Sequence, residues 1–264
     1  FGYKELTIPP DLKGNHKIDN QALHIWPRKS YMIIALPNLD GSFTCTLFFP
    51  VSGKNSFESF RRKSDLMNFF NNYFKDLVDL IPDVAKQYYI NPTSSLGIVK
   101  CYPWIKNNTV LLGDASHATV PFYGQGMNSG FEDCFLLNDF IKSKRSINEF
   151  KSMLPSFLQS RKKDTDAMQE LSMHNFIVMR DKTSDDDFLF QKKIERVFSK
   201  KYPKKWLPLY SMVSFSNIPY DQALIIGKNQ AHIMKQIMSL RGVETLSDLE
   251  LENTILSMID KYGL

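Results

Sequence analysis

A chain of 264 residues with 43% apolar and 23% charged side chains has the composition of a folded globular protein, long enough for one large domain or two ordinary ones. The formal charge of +5 is modest; it tolerates an anionic cofactor, an acidic substrate or a lipid surface, and no arginine-rich run argues for nucleic acid. Cys45, Cys101 and Cys134 stand far apart with no C-x-x-C spacing, which fits a reducing compartment better than a disulfide scaffold or a zinc site.

The first fifty residues read as β-structure. The chain opens on "FGYKELTIPP", without an initiating Met and already in strand-like sequence, so it is expected to be the later portion of a longer polypeptide. "YMIIALPNLDGSFTCTLFFP" is two β-rich runs joined by a turn at Asn38-Leu39-Asp40-Gly41. Alternation puts Met32, Ile34 and Leu36 on one face and Ile33 and Ala35 on the other. Both faces are apolar: either the sheet is buried on both sides, or one side faces an apolar ligand cavity.

Residues 57–90 have helical spacing, ending at Pro82. "LGIVKCYPW" and "TVLLGD" then return to strand character, and the pattern is helical again from Asn128 to about Lys144, with Ser129-x-x-Glu132 matching a capping box. A long helix is expected from Leu154 to Arg180, with Asn175 on the stripe of Leu171 and Met179. A buried amide there must find partners, in the core or in a ligand. The remainder is looser helix. "KTSDDD" and "SKKYPKK" read as solvated loops and "LSDLELENTILSMIDKYGL" as an amphipathic surface helix. No apolar run reaches the 18 or so residues that span a bilayer, and no signal-peptide pattern, internal repeat or low-complexity segment is present.

The densest chemistry lies in "LLGDASHATVPFYGQGMNSGFEDC", from Leu111 to Cys134. A strand, a glycine-rich loop and a helix N-terminus together receive anions, because the first N–H groups of a helix are unpaired and its dipole adds positive charge. Neither G-x-G-x-x-G nor a P-loop is present. Asp114 at the strand end could accept hydrogen bonds from sugar or polyol hydroxyls, or simply cap a turn.

"GDASHATVPFYGQGMNSGFED" resembles the second flavin motif of the FAD-dependent aromatic hydroxylases, G-D-A-x-H-x-x-x-P-x-x-G-Q-G-x-N-x-x-x-E-D, with every fixed position filled. The flanking "GYKELTIPP", "LHIWPR", "ELSMHNFIVMR" and "PLYSMVSFS" are similar to the members of that family that hydroxylate L-kynurenine, from Gly2 to about Ser216. Beyond that point the likeness fades; animal members carry a hydrophobic tail there that is not seen here, so the chain is expected to resemble a fungal or bacterial member, or to be a truncated one.

The resemblance implies a mixed α+β and α/β fold of the FAD-dependent aromatic hydroxylase type. Residues 1–100 would form a β-sheet substrate-binding domain with a helical insertion, 101–150 a portion of the FAD-binding domain, and 151–264 a C-terminal helical region. It implies bound FAD held by Asp114, Pro121, Gly124, Gln125, Gly126, Met127 and Asn128, and NADPH as transient co-substrate. With O2, the flavin would hydroxylate L-kynurenine to 3-hydroxykynurenine through a flavin hydroperoxide. Leu23, Met32, Ile34, Leu36, Phe48, Pro121 and Phe122 would line the substrate chamber, and Asn175 and Tyr210 would meet the amino-acid end. No catalytic side chain and no metal is expected. His117 is read as a structural hydrogen-bonding residue beside the cofactor loop. Tyr123 departs from the His or Phe that other members carry there.

The family's first fingerprint, G-x-G-x-x-G, and its upstream carboxylate-gripping Arg and Tyr are absent, and are expected on a preceding segment. By the same resemblance the location would be the outer mitochondrial membrane in a eukaryote, through peripheral association, or the cytoplasm in a bacterium. Oligomeric state is left open. Two other readings stay open: a flavin hydroxylase of another aromatic substrate, and a non-catalytic interaction module.

Overall fold

The computed structural model describes residues 1–262, and these divide into two compact units, residues 1–96 with 177–184, and 97–176 with 185–262. The first is built on an antiparallel sheet of β1 (Gly2–Ile8), β2 (His24–Pro27), β3 (Met32–Pro37), β4 (Phe43–Phe49) and β5 (Ser94–Ser95), in the order β2-β3-β4-β1-β5. The expected β3–β4 turn forms, with Asn38 N–H donating to Ser42 O and Gly41 at φ +85°, where a side chain would be strained.

Three short helices follow β4, where the sequence suggested continuous helical spacing: α1 (Lys63–Tyr73), α2 (Lys75–Val78) and α3 (Val84–Ile90). The break falls at Phe74, which leaves helical dihedrals (φ −136°, ψ 41°) and is fully buried. Ile33, Ala35, Cys45, Leu47 and Phe49 on one sheet face pack against Leu66, Phe69, Phe70, Phe74 and Leu77. The Lys4 ammonium, buried on that face, donates to Asn91 O at the end of α3 and lies 5.0 Å from the Tyr88 ring centroid.

The opposite face is only partly apolar. Met32 and Phe48 are paired in register and buried, but Ile34 lies opposite Thr46 and Leu36 opposite Thr44, and Leu36 is half exposed. A π-helical turn, Val178–Lys182, lies against β2.

The second unit is mainly helical. The hairpin of β6 (Ile105–Lys106) and β7 (Thr109–Val110) leads to the one-turn α4 (Asp114–His117). Next come α5 (Gly126–Lys142), α6 (Ile147–Ile177), α7 (Asp186–Lys201), α8 (Leu209–Phe215), α9 (Tyr220–Met238) and α10 (Asp248–Tyr262). The strand expected over 96–104 does not form. Val99 N–H donates to Ala118 O, and the Gln169 amide from α6 donates to Val99 O and Ala118 O, so a side chain takes the place of a ladder. The strand predicted to end at Asp114 shrinks to Thr109–Val110.

Behind these elements, Trp104 packs with Leu154 and Leu158, and Trp206 with Phe198, Ile233, Ile237 and Ile255. The amphipathic C-terminal helix is present as α10; the last two residues of that prediction lie outside the described residues.

Candidate functional site

The second unit's site grows from one buried carboxylate. Asp133, on α5 and 1% exposed, accepts the Gly113 N–H at 2.8 Å and His117 Nε2 at 2.6 Å on one oxygen, and Arg161 Nε from α6 at 2.6 Å on the other. Burial alone would raise its carboxyl pKa; His117, Arg161 and the Gly113 N–H outweigh burial and hold it below the ordinary value. Arg161 continues the network, with Nη1 2.7 Å from Asp164 and Nη2 2.7 Å from Glu132 and 3.1 Å from both Ser129 O and Oγ. His117 thus takes the structural role read from the sequence, clamping the loop onto α5.

Ser129 does not cap a helix. α5 begins at Gly126, three residues earlier, so Ser129 lies inside it, buried and bonded to Arg161. Gln125 precedes the helix and gives no side-chain cap, and the first helical bond runs from Ser129 N–H to Gln125 O. Among the described residues, the N–H groups of Gly126, Met127 and Asn128 have no partner. They open an N-terminus with the partial positive charge that favours an anion.

The preceding loop is held from behind. Gly124 N–H donates to Pro121 O, with Gly124 at φ +68°; Asn175 Nδ2 donates to Phe122 O at 2.7 Å; and the Phe122 and Phe176 rings stack at 4.5 Å. In front lies an open cleft of about 560 Å³. Its walls are Asp114, Thr119, Pro121 and Gly124 on the loop side, and Gly126, Met127, Gly130, Phe131 and Cys134 along α5. A Cβ built on Gly124 would meet nothing within 4 Å, so glycine there leaves open room for a ligand. The Asp114 carboxylate is exposed without a partner among the described residues, and Thr119 Oγ1 is buried without one. Donors, one free carboxylate and apolar Met127 and Phe131 suit a flat ring with a polar edge and a polyol tail.

Of the expected cofactor residues, Asp114, Pro121, Gly124, Gly126 and Met127 therefore line one cleft. Gln125 and Asn128 turn their side chains away: Gln125 Oε1 accepts Tyr220 OH and Asn128 Nδ2, each at 3.2 Å. Both line a separate polar cleft of about 390 Å³ with Glu132, Ser214, Ser216 and Tyr220. Neither lines the first cleft.

The expected substrate residues divide between the units. In the sheet unit, Met32, Ile34, Leu36 and Phe48 share the face away from the aromatic core, and Leu23, 42% exposed, precedes β2. In the helical unit, Phe122 is buried and Pro121 exposed, and Asn175 spends an amide hydrogen on the loop. Tyr210, in the first turn of α8, is 48% exposed, and its hydroxyl has no partner among the described residues. Sequence reasoning overlooked Arg161, Gln169 and Tyr220, which position the site. The one available signal was a polar residue on an otherwise apolar helical stripe.

Residues 95–143 match the family described as FAD binding domain. The chain is 50% identical over 263 residues to the kynurenine 3-monooxygenase of Flavobacterium johnsoniae, which covers 99% of this chain and 58% of that protein. It is 43% identical to the protein of that name from Dictyostelium discoideum, over 90% of this chain and 54% of that one. To the Sus scrofa protein it is also 43% identical, over 91% and 50%. The chain thus spans little more than half the length of these curated relatives. Among solved structures it is similar to Klebsiella pneumoniae HpxO complexed with FAD, with TM-score 0.53 and 16% identity over 71% of this chain and 47% of that one. It is also similar to 2-methyl-3-hydroxypyridine-5-carboxylic acid oxygenase, with TM-score 0.51 and 19% identity over 69% and 48%. At those identities the likeness is one of fold.

Proposed function

Because the chain belongs, by motif and fold, to the FAD-dependent aromatic hydroxylases, we propose that the protein hydroxylates L-kynurenine to 3-hydroxykynurenine, with bound FAD, NADPH as transient reductant and O2 as oxygen donor. The observation that carries this reading is 50% identity over nearly the whole chain to a kynurenine 3-monooxygenase, with the cleft formed by the very motif the family uses for flavin.

Bound FAD would supply acceptance of hydride from NADPH and activation of O2. The chain's own residues bind, orient and exclude water. The unpaired N–H groups of Gly126, Met127 and Asn128, with the α5 dipole behind them, would face the pyrimidine edge of the ring, where reduction adds negative charge. Asp114 would accept hydrogen bonds from the ribityl hydroxyls, and Pro121 would cover the ring's margin. In the helical unit Tyr210 would donate its phenol proton to the amino-acid end of the substrate. Asn175 would serve that end chiefly by holding the Phe122 carbonyl. In the sheet unit Met32, Ile34 and Phe48 would offer an apolar face to an aromatic ring, with Leu23 and Leu36 at its open margin. Residues 1–100 would serve the substrate, 101–150 the cofactor, and 151–264 the helical support.

Among the described residues no helix is long and apolar enough to cross a membrane. The compartment goes with the host: the cytoplasm for a bacterial owner, the outer mitochondrial membrane, by peripheral contact, for a eukaryotic one.

The test is to incubate the protein at the length of its relatives, loaded with FAD, with NADPH and L-kynurenine, and to look by mass for a product heavier by one oxygen. A kynurenine-dependent product is expected. NADPH consumption that yields only hydrogen peroxide would move the activity to another aromatic substrate. No NADPH consumption would leave the chain as an interaction module.

A further inference from the structure

Tyr123 lies inside the flavin motif, yet its ring points away from the cleft, into the helical core. It is 7% exposed and packs with Ala167, Met168 and Leu171 of α6, Met212 and Val213 of α8, and Ala223 of α9. Its main chain is held on both sides. Asn175 binds the preceding carbonyl, and the Gly124 N–H closes a turn onto Pro121 O. The ring is therefore buried on a loop whose backbone is tied on both sides.

Against it lies the Tyr210 ring, with centroids 5.4 Å apart and planes 25° from parallel. Tyr210 stands in the first turn of a seven-residue helix and is half exposed, and apart from Tyr123 its ring neighbour is Phe215, 6.1 Å away and itself 79% exposed. An exposed phenol of this kind would ordinarily sample several rotamers, and any ligand that used its hydroxyl would have to order it first. Neither phenol oxygen has a hydrogen-bond partner among the described residues, so ring contacts, the buried Tyr123 above all, set where the Tyr210 hydroxyl points.

We propose that Tyr123 is a positioning residue for substrate: its buried ring holds the Tyr210 phenol in the orientation that receives the amino-acid end of the substrate. The proposal rests on the reading of Tyr210 as a substrate contact and adds to it what holds that contact in place. It also joins two functions in one residue, since the Tyr123 backbone belongs to the cofactor loop and its ring to the substrate's hydrogen-bond donor. The position needs an aromatic face, not a hydroxyl, so phenylalanine serves there as well as tyrosine.

The test uses the FAD-loaded protein at the length of its relatives and measures the Kd of L-kynurenine by calorimetry without NADPH, then KM and kcat. An aromatic pair contributes about two- to tenfold in an equilibrium of this kind. Tyr123→Ala is expected to weaken kynurenine binding and raise KM by that factor, with kcat less affected, while Tyr123→Phe keeps the wild-type Kd. Tyr210→Phe should weaken binding on its own, and adding Tyr123→Ala to it should cost little more, because the hydroxyl being positioned is already gone. The thermal midpoint of each variant reports folding separately, and Tyr123→Leu, which fills the core without a flat ring, should behave like Tyr123→Ala in binding. If Tyr210→Phe weakens binding while Tyr123→Ala and Tyr123→Leu do not, the positioning role is wrong and the substrate contact stands. Equal losses in Tyr123→Phe and Tyr123→Ala would overturn stacking in favour of a bond from the Tyr123 hydroxyl. An unchanged Kd in Tyr210→Phe removes the contact and the positioning role together.

Discussion

Arg161 is the residue on which the loop, α5 and α6 converge. Its side chain is 4% exposed and meets Asp133, Glu132 and Asp164. Removing one member of a buried ionic network strands the others, which costs about 3–5 kcal/mol. Arg161→Met, close in volume but uncharged, should lower stability by about that much in urea unfolding; a loss below about 1 kcal/mol would mean that water reaches Asp133 and Asp164 as it already reaches the half-exposed Glu132. The same network predicts acid behaviour. The Asp133 pKa is depressed in the folded state despite burial, so its contribution is complete above the ordinary carboxylate range and disappears as pH falls through the folded value. Asp164 is shifted the other way, raised chiefly by burial, and returns some stability as pH falls from its folded value to the ordinary 3.8. Below about pH 4 the wild type should lose stability steeply, and Asp133→Asn, weaker at neutral pH, should show a flatter profile. An equally steep profile in that variant would assign the acid loss to another group. The motif made Asp133 visible in the sequence, but Asp164 three residues on was the one local mark of Arg161, whose partners on α5 lie about thirty residues away.

The start of α5 shows where local pattern and tertiary structure part. Ser129-x-x-Glu132 has the spacing of a capping box, and glycines at 124, 126 and 130 argue against a helix by propensity alone. The helix nevertheless begins at Gly126, because Ser129, buried inside it, bonds to Arg161 and Glu132 pairs with the same guanidinium, a partner no local window contains. The strand expected over 96–104, and the 111–114 part of the one expected over 109–114, are missing for a related reason: their carbonyls and N–H groups meet a glutamine, a carboxylate and Ala118 rather than a neighbouring strand. The glycines themselves separate two effects. A Cβ on Gly126 comes no closer than 3.7 Å to Thr119 Cγ2, an ordinary contact. Gly126→Ala should therefore leave the thermal midpoint within about 2 °C of wild type, while FAD retention in the protein at its relatives' length falls if the flavin approaches this backbone. Full retention would place the ring elsewhere. Gly124→Ala has equal room but must hold φ near +68°, which costs about 1–2 kcal/mol in stability before any ligand is added.

At the scale of the molecule, strand alternation was the most legible signal. The β3–β4 hairpin forms with the expected turn, and Ile33 and Ala35 enter the aromatic core as alternation requires. The opposite face read as more apolar than it is, because alternation in β3 said nothing of Thr44 and Thr46 across the ladder. In the helical half, the run of lysines near residue 200 looked like free solvated charge, yet Lys201 reaches Glu252 and Lys205 lies 3.9 Å from Asp260, both on α10. The cofactor site is legible in the sequence for the same reason that it is partial in the structure. One motif supplies the cleft, its uncapped N–H groups and Asp114, all in the second unit, while the 264 residues contain no G-x-G-x-x-G to hold a pyrophosphate. Flavin held only at its ring edge and ribityl chain should bind weakly. Fluorescence polarisation of FAD against these 264 residues is expected to give a Kd above about 10 μM, equivalent to less than about 7 kcal/mol. The same titration on protein of the relatives' length should bind at least about tenfold tighter, a gain of about 1.4 kcal/mol or more. If the 264 residues alone bind below about 1 μM, the cleft beside α5 holds more of the cofactor than its loop and helix terminus account for, and the pyrophosphate must be sought among residues already present, beginning with the N–H groups of Gly126, Met127 and Asn128.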